Sequence, residues 1–192
     1  TKDVFCTLPA SKAVFGKQEG TNFTDSLLVG HSTTGTLSSA LANTGVGIDA
    51  MDAITSGDYN TALGFSALSA LTSTHNNVAL GRNAMKIATG QGNVAVGKDS
   101  AEALSNGHYN IIIGQNAGDT YPTSGSGNVL IGNGADADAT DSARTLKIVC
   151  QDGSTTTNQI IGDGDGNLTF AGTANAAGGQ LTTIGISLVM GF

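Results

Sequence analysis

The stretch Asn60-Thr61-Ala62-Leu63-Gly64 is one copy of a five-residue phrase that returns along the chain as an Asn, three mostly apolar residues and a Gly. The closing glycines are separated by 17, 17, 17, 16, 17 and 18 residues. A fixed period below about 20–25 residues is typical of a solenoid, whose small coils bury an apolar face only against their neighbours. The sequence therefore predicts a mainly β protein with a parallel β-solenoid, or β-roll, of about seven 17-residue coils. The closing glycines are Gly30, Gly47, Gly64, Gly81, Gly97, Gly114 and Gly132.

Each phrase has the alternation of a short strand. The second and fourth positions are mostly large, as in Val78 and Leu80, whereas the third is small, as in Ala79, until it becomes Ile112 and Leu130 in the last two coils. Because successive side chains of a strand point to opposite faces, we expect the large pair to face inward and the small residue outward, where another chain can approach.

The Asn that opens the phrase also forms a column. Asn tolerates left-handed turns and hydrogen-bonds its own backbone, and stacked Asn side chains can form an amide ladder. We expect a structural ladder here, and we expect the closing Gly to mark a turn that a side chain does not fit. The column consists of Asn43, Asn60, Asn77, Asn93, Asn110 and Asn128.

A second phrase follows each closing Gly, as in Ser66-Ala67-Leu68-Ser69-Ala70-Leu71. Its apolar residues come in pairs three apart, which is helical spacing. Ser, Asp or Asn precedes them, as a helix cap does. The sequence therefore predicts a short helical turn in each coil in addition to the short strand.

Composition excludes several functional classes. A net charge of −7 with only eight Lys and Arg residues gives no basic stripe for nucleic acid. The chain contains no stretch approaching the roughly 18 apolar residues of a membrane span, so no membrane insertion is expected. Two cysteines, Cys6 and Cys150, do not form a disulfide framework.

The pattern divides the chain into four parts. Residues 1–24 form an N-terminal attachment arm, residues 25–135 the solenoid, residues 136–143 a linker or cap, and residues 144–192 a small C-terminal β domain. In the last part, residues 144–150, 159–162, 167–171 and 181–192 are strand candidates. The expected anchors of the arm are Phe5, Val14, Phe15 and Phe23.

Few residues suggest a catalytic or metal-binding site. His75 and His108 share one turn column, without a nucleophile or a zinc-ligand spacing beside them. Asp163, Asp165 and Asn167 are weak candidates for a calcium site, because Leu168 stands where a calcium loop needs Gly; a tight hairpin explains them as well. Asp136, Asp138 and Asp141 are a similar weak group. We therefore expect no cofactor and no enzymatic activity.

The repeats Asn-Thr-Ala-Leu-Gly-Phe-Ser-Ala-Leu (60–68) and Asn-Val-Ala-Leu-Gly-Arg-Asn-Ala-Met (77–85) resemble those of bacteriophage fibre and surface structural proteins. They are also similar to the head repeats of trimeric autotransporter adhesins. The resemblance implies a homotrimer without a cofactor, displayed on a particle or cell surface. The absence of sustained heptads favours a phage virion protein over an adhesin with a coiled-coil stalk. Its partners would be capsid or tail proteins, and it would be assembled in the host cytoplasm.

Other functions stay open. The protein could decorate and stabilise a capsid or form a short fibre. Alternatively, it is an adhesin head whose loops, such as residues 120–126, touch a host glycan or protein. A third possibility is the repeating subunit of an extracellular filament, joined through residues 1–24 by strand addition. A polysaccharide depolymerase is the least favoured, because such a groove needs paired acids and aromatic platforms, and Trp is absent.

Overall fold

Each Asn-x-x-x-Gly phrase forms one three-residue strand, and the strands stack in parallel, one per coil. A computed structural model describes residues 18–20, 22–30, 34–102, 104–120, 123–138, 142–151, 156–170, 175–176 and 179–180. All regular elements within these ranges are strands. The predicted β-solenoid of about seven coils of roughly 17 residues is confirmed.

The N-terminal end of the sheet is a hairpin. Strand β1 (Gln18–Gly20) pairs antiparallel with β2 (Phe23–Val29), and β3 (Ala40–Leu41) pairs parallel with the start of β2. Since β2 runs across residue 24, the predicted arm and the first coil share a strand.

Six strands of equal length continue the sheet in register, so that each residue pairs with its equivalent one coil later. Their parallel stacking follows from the connecting segment, which returns the chain to the same side after every turn. They are β4 (Thr44–Val46), β5 (Thr61–Leu63), β6 (Val78–Leu80), β7 (Val94–Val96), β8 (Ile111–Ile113) and β9 (Val129–Ile131).

The C-terminal strands extend the same sheet. Strand β10 (Leu146–Gln151) pairs parallel with β9, and β11 (Thr156–Gly162) and β12 (Leu168–Phe170) follow antiparallel. They match three of the four predicted strands; the fourth, residues 181–192, lies outside the described ranges. Strands β13 (Asn175–Ala176) and β14 (Gly179–Gln180) form a separate hairpin.

The predicted orientation of the strands is wrong. The third position of each phrase points inward and is buried, as at Ala62 and Ala79, whereas the large second and fourth positions point outward. The cause is the narrow interior of a 17-residue coil. The segment after the closing Gly already fills it with side chains such as Leu68 and Leu71, so a small residue fits opposite them.

The predicted helical turns are also wrong. Residues two and four positions after the closing Gly have left-handed backbone, with φ of 53° at both Ser66 and Leu68, and a right-handed helix cannot contain them. The segment is a series of tight turns, with the Leu71 N–H donating to Leu68 O at 3.1 Å. Asn, Asp and Ser precede both helices and left-handed turns, which explains the misassignment.

In two coils a small inward residue lies opposite a larger one. At β4, an added Cβ on Gly45 would overlap the Leu28 side chain and lie 2.9 Å from Met51 Cε, so the absence of a side chain makes room for both. Later coils reverse the sizes, because Ile112 takes the inward strand position and Gly118 the position four residues after the closing Gly. At the C-terminal end the inward strand position is no longer apolar, because it is Lys147, whose Nζ lies 2.7 Å from Asp138 Oδ1.

The predicted Asn ladder is present. From Asn43 to Asn110, the side-chain oxygen of each Asn accepts both the backbone N–H and the amide of the Asn one coil later, and the Asn128 oxygen accepts the Thr145 N–H. The same amide donates to a turn carbonyl, as Asn60 Nδ2 does to Thr74 O at 2.9 Å. The ladder therefore satisfies backbone groups that the short strands leave unpaired.

The closing glycines pack backbone against backbone. Gly64 has φ +141°, and an added Cβ would lie 2.6 Å from the carbonyl carbon of Gly81 in the next coil. Any other residue would overlap that carbonyl, which explains why the position is Gly in every coil.

Candidate interaction surface

The outer face of the sheet is mostly aliphatic over eight of its strands. Eight in-register strands, β2 and β4 to β10, each place two side chains outward, and only Thr44 and Thr61 among them are not aliphatic. No charged residue occurs at these positions. Seven spacings of about 4.8 Å make the face roughly 34 Å long.

Much of this face is exposed. Leu63 is 50% exposed and Ile111 42%, and apolar side chains beside the closing Gly or the ladder Asn extend the patch. At about 150–200 Å² per large side chain, the exposed part amounts to roughly 800 Å², above the few hundred Å² usual for a patch on a monomer. The large exposed residues are Leu27, Val46, Ile48, Tyr59, Leu63, Phe65, Tyr109, Ile111 and Ile113.

A charged cluster lies beside this face in the fourth and fifth coils. The largely buried Asp99 carboxylate accepts hydrogen bonds from Lys98 Nζ at 2.6 Å, Asn83 Nδ2 at 2.9 Å and Arg82 Nη2 at 3.4 Å. Burial alone would raise the pKa of this carboxyl, but the hydrogen bonds from Lys98 and Asn83 and the charges of Arg82 and Lys98 lower it below 3.8. Sequence analysis missed this cluster, although two basic residues directly follow consecutive closing glycines.

The two histidines of the turn column bond the backbone of the preceding coil. His75 Nδ1 accepts the Asp58 N–H at 3.0 Å, and His108 Nδ1 accepts the Gln91 N–H at 3.1 Å. The hydroxyl of Ser126 does the same for the His108 N–H. These side chains therefore cap backbone groups between coils.

The Asp163 to Asn167 segment is the turn between β11 and β12. Asp163 Oδ1 accepts the N–H groups of Asp165 and Asn167, and its Oδ2 accepts Asn167 Nδ2 at 2.8 Å. The Asn167 side chain, then its N–H and those of Asp165 and Gly166, lower the pKa of Asp163. The carboxylate thus closes a hairpin, the second of the two interpretations given by the sequence.

Two of the other acidic candidates bear on a cation site. Asp138 pairs with Lys147, and Asp141 lies outside the described residues. Within the described ranges, no three His, Cys, Asp or Glu side chains are grouped so that they could hold a metal ion.

Of the expected attachment residues, Phe23 is fully buried in the core of its own chain, at the start of β2. Phe23 therefore anchors the start of β2 to its own chain and is not exposed to a partner. Phe5, Val14 and Phe15 lie outside the described residues.

A column of hydroxyl side chains was also missed. One Ser or Thr per coil follows the turn. The hydroxyls of Ser38, Thr55, Thr89 and Ser105 donate to the backbone carbonyl of the equivalent residue one coil later, as Thr55 Oγ1 does to Thr72 O at 3.0 Å. The sequence signal for this column is a Ser or Thr that recurs with the period of the coils, at Ser38, Thr55, Thr72, Thr89, Ser105 and Thr123.

Comparison with known proteins gives no relative. No protein-family model matches the chain, and no curated protein or solved structure matches it. In the part of the chain that is described, no helix has the length and apolar character to cross a membrane. The function therefore has to be argued from the surface itself.

Proposed function

We propose that this protein is a non-enzymatic structural subunit of a bacteriophage particle surface, a capsid decoration or short fibre, and that it assembles as a homotrimer through the aliphatic outer face of its sheet. The single observation that carries this proposal is the uncharged, mostly aliphatic face along eight strands. The phage context rests on the resemblance of the repeats.

The size of the face supports assembly with further copies of the chain. Each partner in a standard protein interface buries about 800 Å², which is close to the exposed apolar area here. Copies arranged around an axis parallel to the solenoid would place equivalent coils at the same height, so each face is covered over its full length. The surplus of acidic residues elsewhere keeps such an assembly soluble.

The polar groups support a structural role. The carboxylates, imidazoles and amides described above cap backbone groups, join neighbouring coils or close a turn. Such side chains stabilise a rod and need no cofactor. The proposed partners are copies of the chain and capsid or tail proteins, with no nucleic acid and no membrane insertion, on a virion assembled in the host cytoplasm.

The oligomeric state is tested by mass in solution. We expect three times the chain mass of 19.1 kDa. The double variant Leu63→Asp/Ile113→Asp buries a charge in each interface and should be monomeric with an unchanged far-UV spectrum. The control Ile87→Asp alters a residue 44% exposed on the turn segment and should stay trimeric. A monomeric parent protein at micromolar concentration would refute the trimer.

The location is tested by quantitative mass spectrometry of purified native particles. Copies comparable in number with the main shell protein indicate capsid decoration, and a few trimers per particle indicate a fibre. If the protein forms filaments without a shell protein, the virion proposal is wrong and the filament alternative replaces it.

A further inference from the structure

Four consecutive coils place a chemically ordered line of side chains beside the aliphatic face. Phe65, Arg82, Lys98 and Gln115 each directly follow a closing Gly. Phe65 is 49% exposed, and the side chains of Arg82 and Lys98 are 54% and 48% exposed. With coils about 4.8 Å apart, an aromatic ring, two cations and an amide follow one another along the rod.

The Asp99 carboxylate restrains both cationic side chains. Asp99 bonds both of them and Asn83, and its own side chain is only 10% exposed. An Arg or Lys on an open surface samples many rotamers and loses that freedom on binding. Because the carboxylate restrains these side chains, less entropy is lost when a ligand engages them.

The cluster has more positive charge than its anion neutralises. Two cations face one carboxylate, and the donors not used by Asp99 remain, since an ammonium has three N–H groups and a guanidinium five. The protein as a whole has a charge of −7. Exposed ion pairs add little to stability, and one cation would already neutralise the carboxylate, so the second cation is available to a ligand.

We propose that the line formed by Phe65, Arg82, Lys98 and Gln115 binds a linear acidic polysaccharide that runs along the rod. Arg82 and Lys98 would pair with the carboxylate or sulfate groups of the polymer. Phe65 offers an apolar ring for a sugar face, and Gln115 offers an amide for hydroxyl groups. This binding activity goes beyond the proposed structural role. Phe65 also belongs to the exposed apolar patch, so Arg82, Lys98 and Gln115 carry the binding wherever copies of the chain cover Phe65.

A linear polymer fits this arrangement better than a folded partner does. The line is straight, one residue wide and charged in its middle, whereas protein interfaces concentrate their binding energy in a central buried cluster. Nucleic-acid binding depends on many phosphate contacts, and this line offers only two cations.

The test measures binding of fluorescent oligosaccharides to the full chain by polarisation. The probes are an alginate oligomer with carboxylates, a dextran sulfate oligomer and neutral dextran. We expect binding of one or both acidic probes, none of dextran, and weakening between about 50 and 200 mM salt. The better acidic probe identifies the anionic group.

Variants separate this site from general electrostatics. Arg82→Gln/Lys98→Gln should weaken binding about tenfold or more, since two charged contacts are lost. Because this variant leaves Asp99 buried without its cations, Arg82→Gln/Lys98→Gln/Asp99→Asn is the version expected to keep the fold. The control Lys86→Gln/Arg144→Gln removes two positive charges elsewhere, as many as the Gln pair does, and should bind within about twofold of the parent.

Asp99→Asn gives the opposite prediction. It removes the anion and keeps both cations, and the gain in net positive charge should outweigh the lost restraint, so binding of the acidic probe tightens severalfold. An ion pair outside the binding site would leave the affinity unchanged. The proposal is overturned if neither acidic probe binds at millimolar concentration, if the control loses as much affinity as the Gln pair, or if DNA or an acidic peptide binds more tightly than both polysaccharides.

Discussion

Asn110 donates its side-chain amide to the side-chain oxygen of Asn93, 3.0 Å away and one coil earlier, and both residues are buried. The same oxygen also accepts the Asn110 backbone N–H at 3.0 Å. One atom thus joins two coils through a side chain and through the backbone. Since the arrangement recurs from Asn43 to Asn128, each coil is held in register at the point where its strand begins.

Removing one member of this ladder should be costly. Asn93→Ala leaves the Asn110 N–H and the Gly107 carbonyl without their partners in a buried site. Each such group costs about 1–3 kcal/mol, so we expect a loss of about 2–4 kcal/mol in the free energy of unfolding, measured with urea. The exposed Asn106→Ala is the control, with a change within about 0.5 kcal/mol. Equal effects of the two changes would contradict the ladder as a major source of stability.

The closing Gly should tolerate no side chain. At Gly81, with φ +139°, a Cβ would lie 2.6 Å from the Gly97 carbonyl carbon. We expect Gly81→Ala to cost at least about 3 kcal/mol, because backbone strain and overlap add. Gly134 has φ +62° and open space around a Cβ, so Gly134→Ala should cost only about 1–2 kcal/mol. Thermal unfolding of both variants tests this difference in stability, and similar melting temperatures would refute the packing argument.

The Asp99 cluster predicts a loss of stability in acid. The pKa of the Asp99 carboxyl is lowered below 3.8 in the folded protein. The contribution of Asp99 to the free energy of unfolding is therefore fully present above the pKa that this carboxyl has in the unfolded chain. It is lost as the pH falls below about 3.8, through the folded pKa. Urea unfolding at about pH 7, 4 and 2.5 should show the parent protein losing more stability than Asp99→Asn. A constant difference between the two proteins would contradict the prediction.

The hairpin interpretation of Asp163 predicts that calcium does not change the stability of the protein. Its carboxylate is already engaged by Asp165 and Asn167, so adding millimolar CaCl2 or EDTA should leave the melting temperature unchanged. Asp163→Ala should destabilise β11 and β12 equally with and without calcium. A calcium-dependent rise in melting temperature that Asp163→Ala abolishes would restore the cation site.

The parts of the fold that depend on periodicity could be predicted. Equal spacing of Asn and Gly requires equivalent residues to stack, and stacked Asn and Gly residues have few alternatives to a ladder and a tight turn. The Asp99 cluster and the hydroxyl column were present in the same spacing but lie outside the five-residue phrase. They were missed because nothing in one coil indicates which side chains of its neighbour they meet.

The amino-acid sequence by itself determined the solenoid, its period and the sites of its strands and glycine turns. Only the tertiary structure decided which face of each strand is inside and whether the segment after Gly64 is a helix or a series of turns. Alternation separates Ala62 from Thr61 and Leu63 but is symmetric between the two faces. The choice depends on the volume left inside the coil by Leu68 and Leu71, and that volume exists only once the chain has closed on itself. For the same reason the aliphatic outer face, which carries the proposed function, became visible only in three dimensions.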